Sequence, residues 1–343
     1  KSFTNVMSTT PGASLTTVTV ALDWTPNTNH AGFYVALSHG LYAAAGLAVT
    51  LRPPAHDASA GLTPAKQVTT GIADFGVGPS EAVVAVATAD TDPSARLVAV
   101  ATLCQAHMSS ICCLASSGIT RPRELEGKSY GSYVAKFENA IVRRMVIGDG
   151  GDADKVEFRT LVSSAEAESG ESHAKGTVVE THLETGLADA AWIYTHWQGV
   201  MSSRSGRTLN HFSSTDYAIP HGYSPILHAT RGTAESATAR AFLKSTAEGY
   251  KIASADPAAA VAALRECGHP SLADVGFVTA SAESIKGCFL DDEGRWGRMD
   301  QGRWTDFVDF LAEVGTLLDG EGIEVARDEV KADKLFTNAA LPE

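Results

Sequence analysis

Four times between residues 16 and 104, a run of β-branched and apolar residues is closed by a polar or glycine-bearing turn. The runs are 16–24 (TTVTVALDW), 47–54 (LAVTLRPP), 72–78 (IADFGVG) and 97–104 (LVAVATLC). Apolar residues at helical spacing fill 31–46, a short stretch at 64–70 and the segment from Glu81 onward. Each run has the length and composition of a buried strand. Strand–helix–strand order with short connections demands a largely parallel sheet, because a parallel neighbour is reached only through a crossover. Gly46 lies just past the last turn of 31–46 and reads as its C-cap.

A second series begins near Ile111. It has strands expected at 111–116, 156–162 and 188–194, helices at 137–151 and 176–186, and a turn, helical turn and strand over 121–133. The chain then returns through a strand at 223–230 and helices at 236–255, 257–266 and 304–318. The 343 residues suffice for two lobes with separate cores. The pattern predicts an α/β chain with one lobe over 16–108 plus 217–343 and another over 109–216. Two crossings join them, and 1–15 is a flexible N-terminal segment. A cleft that closes about such hinges buries a small ligand. In parallel sheets ligands sit beyond the carboxyl ends of strands, so the loops directly after strands are the places to search.

Composition narrows the function. The formal charge is −13 with a pI near 5.3. No basic run is present, which argues against nucleic acid and anionic membranes as partners. No apolar stretch reaches the roughly 18 residues that span a bilayer. The Ser/Thr-rich start has no apolar signal core. Met7 is a candidate start, and the tail of a removed transit peptide is the alternative. Five cysteines, two of them adjacent, do not suggest a disulfide framework. A reducing compartment fits them better. The expected location is therefore intracellular or organelle-processed, with a periplasmic or extracytoplasmic protein after signal removal as the alternative. Cys112 and Cys113 read as buried apolar thiols rather than metal ligands. No nucleophile elbow, phosphate-binding loop or paired-carboxylate pattern occurs.

The candidate binding residues follow from the strand ends. Asp23 and Trp24 close the first strand, and Trp24 can stack on a flat heteroaromatic ring. Asn27, Asn29 and His30 then supply amide and imidazole groups. Asn carries both an acceptor and two donors, as the polar edge of a flat heterocycle requires, although Asn29 also suits the N-cap of a helix from Ala31. Glu81 lies just inside a helix, where the dipole favours a carboxylate and an amine could be received. Tyr130, Ser132 and Tyr133 end a strand of the second lobe. Gly131 allows close approach there, and helix-start amides beyond could bind an anion. In WIYTHW (192–197), alternation puts Trp192, Tyr194 and His196 on one side. Tyr194 or Trp197 could face Trp24 across a ring. Asp216 and Tyr217 fall at the second crossing as hinge or rim residues. His221, His228 and His269 have no partner pattern.

The string LDWTPNTNHAGFYVALSHGLYAAAGLAV (22–49) closely resembles the opening of thiamine-precursor binding proteins, kin of the fungal pyrimidine-precursor synthases. The resemblance continues through ADFGVGPSEAV (73–83), GITRPRELEGKSYGSY (118–133), ADAAWIYTHWQG (188–199) and LFTNAALPE (335–343). It implies a two-lobed, periplasmic-binding-protein-like (type II) fold and a pyrimidine-like ligand. Some such proteins are transport receptors for a formylated aminopyrimidine. Others are synthases that consume pyridoxal phosphate and one of their own histidines, with iron. The synthase lysine would fall at Gly78 and the donor histidine at Ala82, and the synthase Cys-rich run has no counterpart. Glycine has no amine for a Schiff base and alanine no imidazole to donate. The expectation is thus a non-catalytic binding protein for a thiamine-precursor aminopyrimidine, with no cofactor and no metal. If exported, it would have a transporter permease as partner. The alternatives are a 4-amino-5-hydroxymethyl-2-methylpyrimidine phosphate synthase-like enzyme, or a receptor for another small ligand such as a sulfonate.

Overall fold

The computed structural model describes residues 3–4, 14–54, 61–89, 96–132, 136–160 and 178–343. The chain divides into two compact units. Unit 1 comprises Lys1–His107, Gly222–Val308 and Leu317–Glu343, and unit 2 comprises Met108–His221 and Asp309–Thr316. Residues 217–221 therefore belong with unit 2. The chain passes between the units at four places instead of the two expected, because Asp309–Thr316 also joins unit 2.

The strands in chain order are β1 (Phe3–Thr4), β2 (Thr16–Ala21), β3 (Leu47–Arg52), β4 (Phe75–Gly78), β5 (Leu97–Thr102), β6 (Ser109–Leu114), β7 (Ser129–Ser132), β8 (Glu157–Thr160), β9 (Ala190–Tyr194), β10 (Leu209–Phe212) and β11 (Ile226–Thr230). In unit 1 they lie in the order β1-β3-β2-β4-β11-β5. β2 runs parallel to β3 and to β4, with Ala21 opposite both Arg52 and Gly76. β11 is antiparallel to both β4 and β5. Within the segment expected to be flexible, Phe3 and Thr4 pair antiparallel with Leu51 and Thr50, because the edge of β3 offers free backbone groups.

The helix expected over 31–46 is two helices, α1 (Ala31–Ser38) and α2 (Leu41–Ala44). Gly40 breaks it at φ 67°, in the left-handed region that glycine enters without penalty. The helix Ala237–Ala255 packs on α1 at a crossing to which each helix contributes a glycine. A Cβ at Gly249 would fall on the carbonyl oxygen of Gly32, and one at Gly32 on the ring of Tyr250. Around this crossing Phe242 stacks on Phe75 at 4.5 Å and on Tyr42 at 5.4 Å, while Tyr250 stacks on Trp296 at 4.8 Å. Ser236 and Asp256 cap the two successive helices through Ala239 N–H and Ala259 N–H. That is why the helical run breaks between Ala255 and Pro257.

Unit 2 has the strand order β10-β6-β9-β7-β8. β7 is parallel to β8 and β9, whereas β6 is antiparallel to β9 and β10. Cys112 packs with Val178, Val179, Leu183, Ala191 and Ile193, so its thiol is a core group, and Cys113 beside it is equally buried. Two further helices position the sites below: α3 (Pro64–Thr69) and α4 (Ser80–Thr88) in unit 1. In unit 2, α5 (Lys136–Gly148) follows β7.

Candidate functional site

In unit 1 the carboxyl ends of β2 and β4 are neighbours in the sheet; β2 opens into a loop rich in polar groups, and β4 passes through Pro79 directly into α4. The loop is residues 22–30. Asn27 accepts a hydrogen bond from Asn29 N–H at 2.8 Å, and its amide donates to the Thr25 carbonyl at 3.0 Å. Asn27 is therefore the cap of a short 3₁₀ turn, Thr28–His30, which precedes α1. The capping role considered for Asn29 belongs one turn earlier, because the chain turns before the α-helix begins. Three distant groups hold this loop. Ser271 donates to the Pro26 carbonyl at 2.8 Å, Tyr250 donates to the Asn29 carbonyl at 2.7 Å, and the Thr28 and Ser281 hydroxyls meet at 2.7 Å. A loop tied at three points is pre-organised, so a ligand need not spend binding free energy on ordering it.

Within that loop His30 is fully buried, and its Nε2 lies 2.9 Å from Asp23 Oδ1. A carboxylate only accepts, so Nε2 carries the proton. His30 Nδ1 is buried without a hydrogen-bond partner among the described residues. Asp23 keeps 27% of its side chain exposed. Trp24 is half-buried. Asn29 is almost wholly buried, with the Cys104 thiol 4.0 Å from its Oδ1.

Beyond β4, Pro79 caps α4. Ser80 is buried, donates to the Tyr223 carbonyl at 2.6 Å and accepts from Tyr223 N–H at 2.7 Å. It thereby clamps the segment that re-enters unit 1. Gly222 is required there, since a Cβ would meet Ser80 Oγ at 2.8 Å and Phe307 at 2.9 Å. Glu81 follows in the first turn of α4, partly exposed as a residue. Burial of its carboxyl pushes its pKa from 4.5 up to about 7, opposed by its own backbone N–H.

Three residues of this region were not singled out by sequence pattern. His228 on β11 is fully buried, and its ring covers Gly76 and Gly78. Burial pushes it down to about 4, against the opposing pull of the Pro64 carbonyl and the Asp23 charge. The alternating glycines in FGVG were the available signal, since a bare strand face invites a large side chain from across the sheet. Arg303 donates to the Gln105 carbonyl at 2.8 Å and the Gly222 carbonyl at 2.7 Å, and lies 3.9 Å over the Tyr223 ring. It ties together the segments by which the chain leaves and re-enters unit 1. Ser80 is the third.

Unit 2 distributes its expected residues differently. Tyr130 is fully buried, donates to Glu138 and meets the Phe158 ring edge-on at 5.8 Å. That makes it a core side chain. Ser132 is buried at the end of β7. Tyr133 lies outside the described residues. Tyr194 is half-buried, with its ring 5.9 Å from that of His196. Trp197 is nearly enclosed, in a π-helical turn, Thr195–Gly199, that displaces it from strand alternation. Trp192 stacks loosely on His221 at 6.4 Å. Tyr217 is half-buried beside the Arg121–Asp149 ion pair, and burial with the Asp149 charge raises its pKa. Asp149 follows the C-terminus of α5.

An α/β chain of two units, with mixed sheets of this order, has the type II periplasmic-binding-protein fold. The alkanesulfonate-binding protein SsuA from Xanthomonas axonopodis pv. citri, solved with bound MOPS, is similar to it with a TM-score of 0.63 and 13% identity, covering 95% of this chain and 99% of that one. The periplasmic aliphatic sulphonate binding protein SsuA from Escherichia coli is similar with a TM-score of 0.59 and 15% identity, covering 87% of each chain. The chain belongs to the NMT1/THI5 like family, whose model matches residues 27–260. A formylaminopyrimidine-binding protein from Halalkalibacterium halodurans is 23% identical over 305 residues, 87% of this chain and 85% of that protein.

Proposed function

We propose that the chain binds a thiamine-precursor aminopyrimidine without transforming it. The observation that carries this reading is the pre-organised 22–30 loop at the carboxyl edge of the unit 1 sheet. It presents a carboxylate, Asp23, beside an aromatic residue, Trp24, and the adjacent strand β4 leads into the first turn of α4, which carries Glu81. An aminopyrimidine offers a flat ring, amine donors and ring-nitrogen acceptors, which match an aromatic face and carboxyl groups. The family and the name of the Halalkalibacterium relative support the same ligand class.

A synthase reading needs an amine and an imidazole where this chain has Gly78 and Ala82. A sulfonate reading places an anion against the partly exposed carboxylate of Asp23, a like-charge contact that opposes binding. Relatives named as periplasmic or as sulfonate-binding support an extracytoplasmic place of work, with a permease as partner, over an intracellular one. The cysteines do not oppose this. All five are free thiols, and burial raises the pKa of Cys104, Cys112 and Cys113, the last to about 12. These three are protonated and shielded, hence unreactive even under oxidising conditions.

A thermal-shift series tests the proposal with hydroxymethylpyrimidine, the formylated aminopyrimidine, pyridoxal phosphate and MOPS. A ligand that binds only the folded state raises the melting temperature. The pyrimidines are expected to do so, and Trp24→Ala to weaken them about tenfold through loss of stacking and buried area. A shift with MOPS or pyridoxal phosphate alone would refute it.

A further inference from the structure

We propose that Asp23 receives an amino N–H of the bound heterocycle, and that His30 is the positioning residue that holds the carboxylate for it. This deepens the pyrimidine reading and rests on it.

The division of labour follows from exposure. His30 is wholly buried and touches Asp23 through Nε2, whereas Asp23 is 27% exposed. A ligand at this edge therefore meets the carboxylate, and the imidazole acts only through it. Oδ1 is occupied by the imidazole N–H, while Oδ2 has no hydrogen-bond partner among the described residues. A carboxylate oxygen cannot donate, so the group that completes it is an N–H or O–H. An exocyclic amine on a flat ring supplies such a donor in the ring plane, and the adjacent Trp24 offers a face for the same ring.

His30 carries a structural penalty that its bond to Asp23 accounts for. Its Nδ1 is buried and unpartnered, although its residue sits in a loop otherwise saturated with hydrogen bonds. An apolar side chain of similar shape would avoid that penalty. What the imidazole adds is an N–H fixed on Oδ1, which stops the carboxylate from rotating and aims Oδ2. The frame behind it is rigid. His30 N–H bonds the Asn27 carbonyl at 3.0 Å, and the neighbouring Asn29 carbonyl is held by Tyr250.

The test is a calorimetric titration with two probes: 4-amino-5-hydroxymethyl-2-methylpyrimidine and the same molecule with hydrogen in place of the 4-amino group. The native protein is expected to prefer the amino probe by about 10- to 100-fold, the range of a hydrogen bond to a charged group. Asp23→Ala and Asp23→Asn should reduce that preference to a few-fold at most, by weakening the amino probe more than the deamino probe. His30→Ala should reduce the preference by roughly 3- to 10-fold, and His30→Gln, whose amide can still donate to Asp23, should restore part of it. Equal weakening of both probes in the His30 variants would mark a merely structural histidine and overturn the assignment. So would an undiminished preference in Asp23→Ala. A native protein that binds both probes equally refutes this inference and leaves the pyrimidine reading standing. One that binds neither removes both.

Discussion

Gly249→Ala is expected to lower the melting temperature by roughly 5–10 °C, a loss of about 3 kcal/mol at the upper end of overpacking penalties. The added methyl would fall on the carbonyl oxygen of Gly32, which is backbone and cannot rotate away. The helix Ala237–Ala255 must then lift from α1, loosening the Phe242 and Tyr250 stacks on the same helix face. It would also drag the Tyr250 hydroxyl from the Asn29 carbonyl, so ligand affinity should fall along with stability. Gly232→Ala is the control, since its Cβ meets nothing and its φ is ordinary. That change should stay within about 0.5 kcal/mol, or stabilise slightly. Differential scanning calorimetry of both variants decides the matter. Coincident melting of Gly249→Ala and the native chain would mean that the crossing has slack.

Glu81→Gln is expected to stabilise the protein by about 2 kcal/mol at pH 8 and to leave it unchanged near pH 4. The unfolded carboxyl has an ordinary value of 4.5, and burial raises it to about 7 in the fold. The folded state thus holds this proton more tightly. The resulting stability is complete below about pH 4.5 and is lost as pH rises through about 7, where the native chain must bury a charge. Glutamine stays neutral throughout and keeps an oxygen for the backbone N–H. The full shift corresponds to about 3 kcal/mol, and partial exposure of Glu81 trims it through solvent screening. Urea midpoints measured from pH 4 to 8 should converge at the acid end and separate at the alkaline end. Parallel profiles would show that the carboxyl is not desolvated.

Much of unit 1 was legible because its strands are short continuous apolar runs bounded by glycine or polar turns. DWTPNTNH was legible as a loop too polar for any core. What pattern could not supply was contact across long separations. His30 read as a ligand contact, yet it is buried, because its partner lies seven residues back around a turn that no periodicity encodes. His228 had no visible partner, since Gly76 and Gly78 stand opposite it only once β11 enters the sheet about 150 residues later. Tyr130 looked like a strand-end aromatic, but Glu138, eight residues on in the first turn of α5, captures its hydroxyl. The helix Val275–Ile285, absent from the pattern reading, contains glycine, two valines and threonine, and is fixed by the Asp274 cap on Phe277 N–H. Its interior helix propensity is weak, so packing and cap decide it.

The position of β11 has a consequence for how the chain can fold as it is synthesised. β4 and β5 are not neighbours, and the strand that joins them is made last. After Thr102 emerges from the ribosome, about 120 residues must follow before Ile226, some 6–25 s at ordinary elongation rates. During that interval β4 and β5 have no strand between them and expose backbone edges of the kind that pair promiscuously. The stretch Met108–His221 is contiguous, carries most of unit 2 and emerges within the same interval. The later-encoded unit is therefore positioned to form first, while the earlier-encoded one waits, half-built, for the strand that joins β4 to β5.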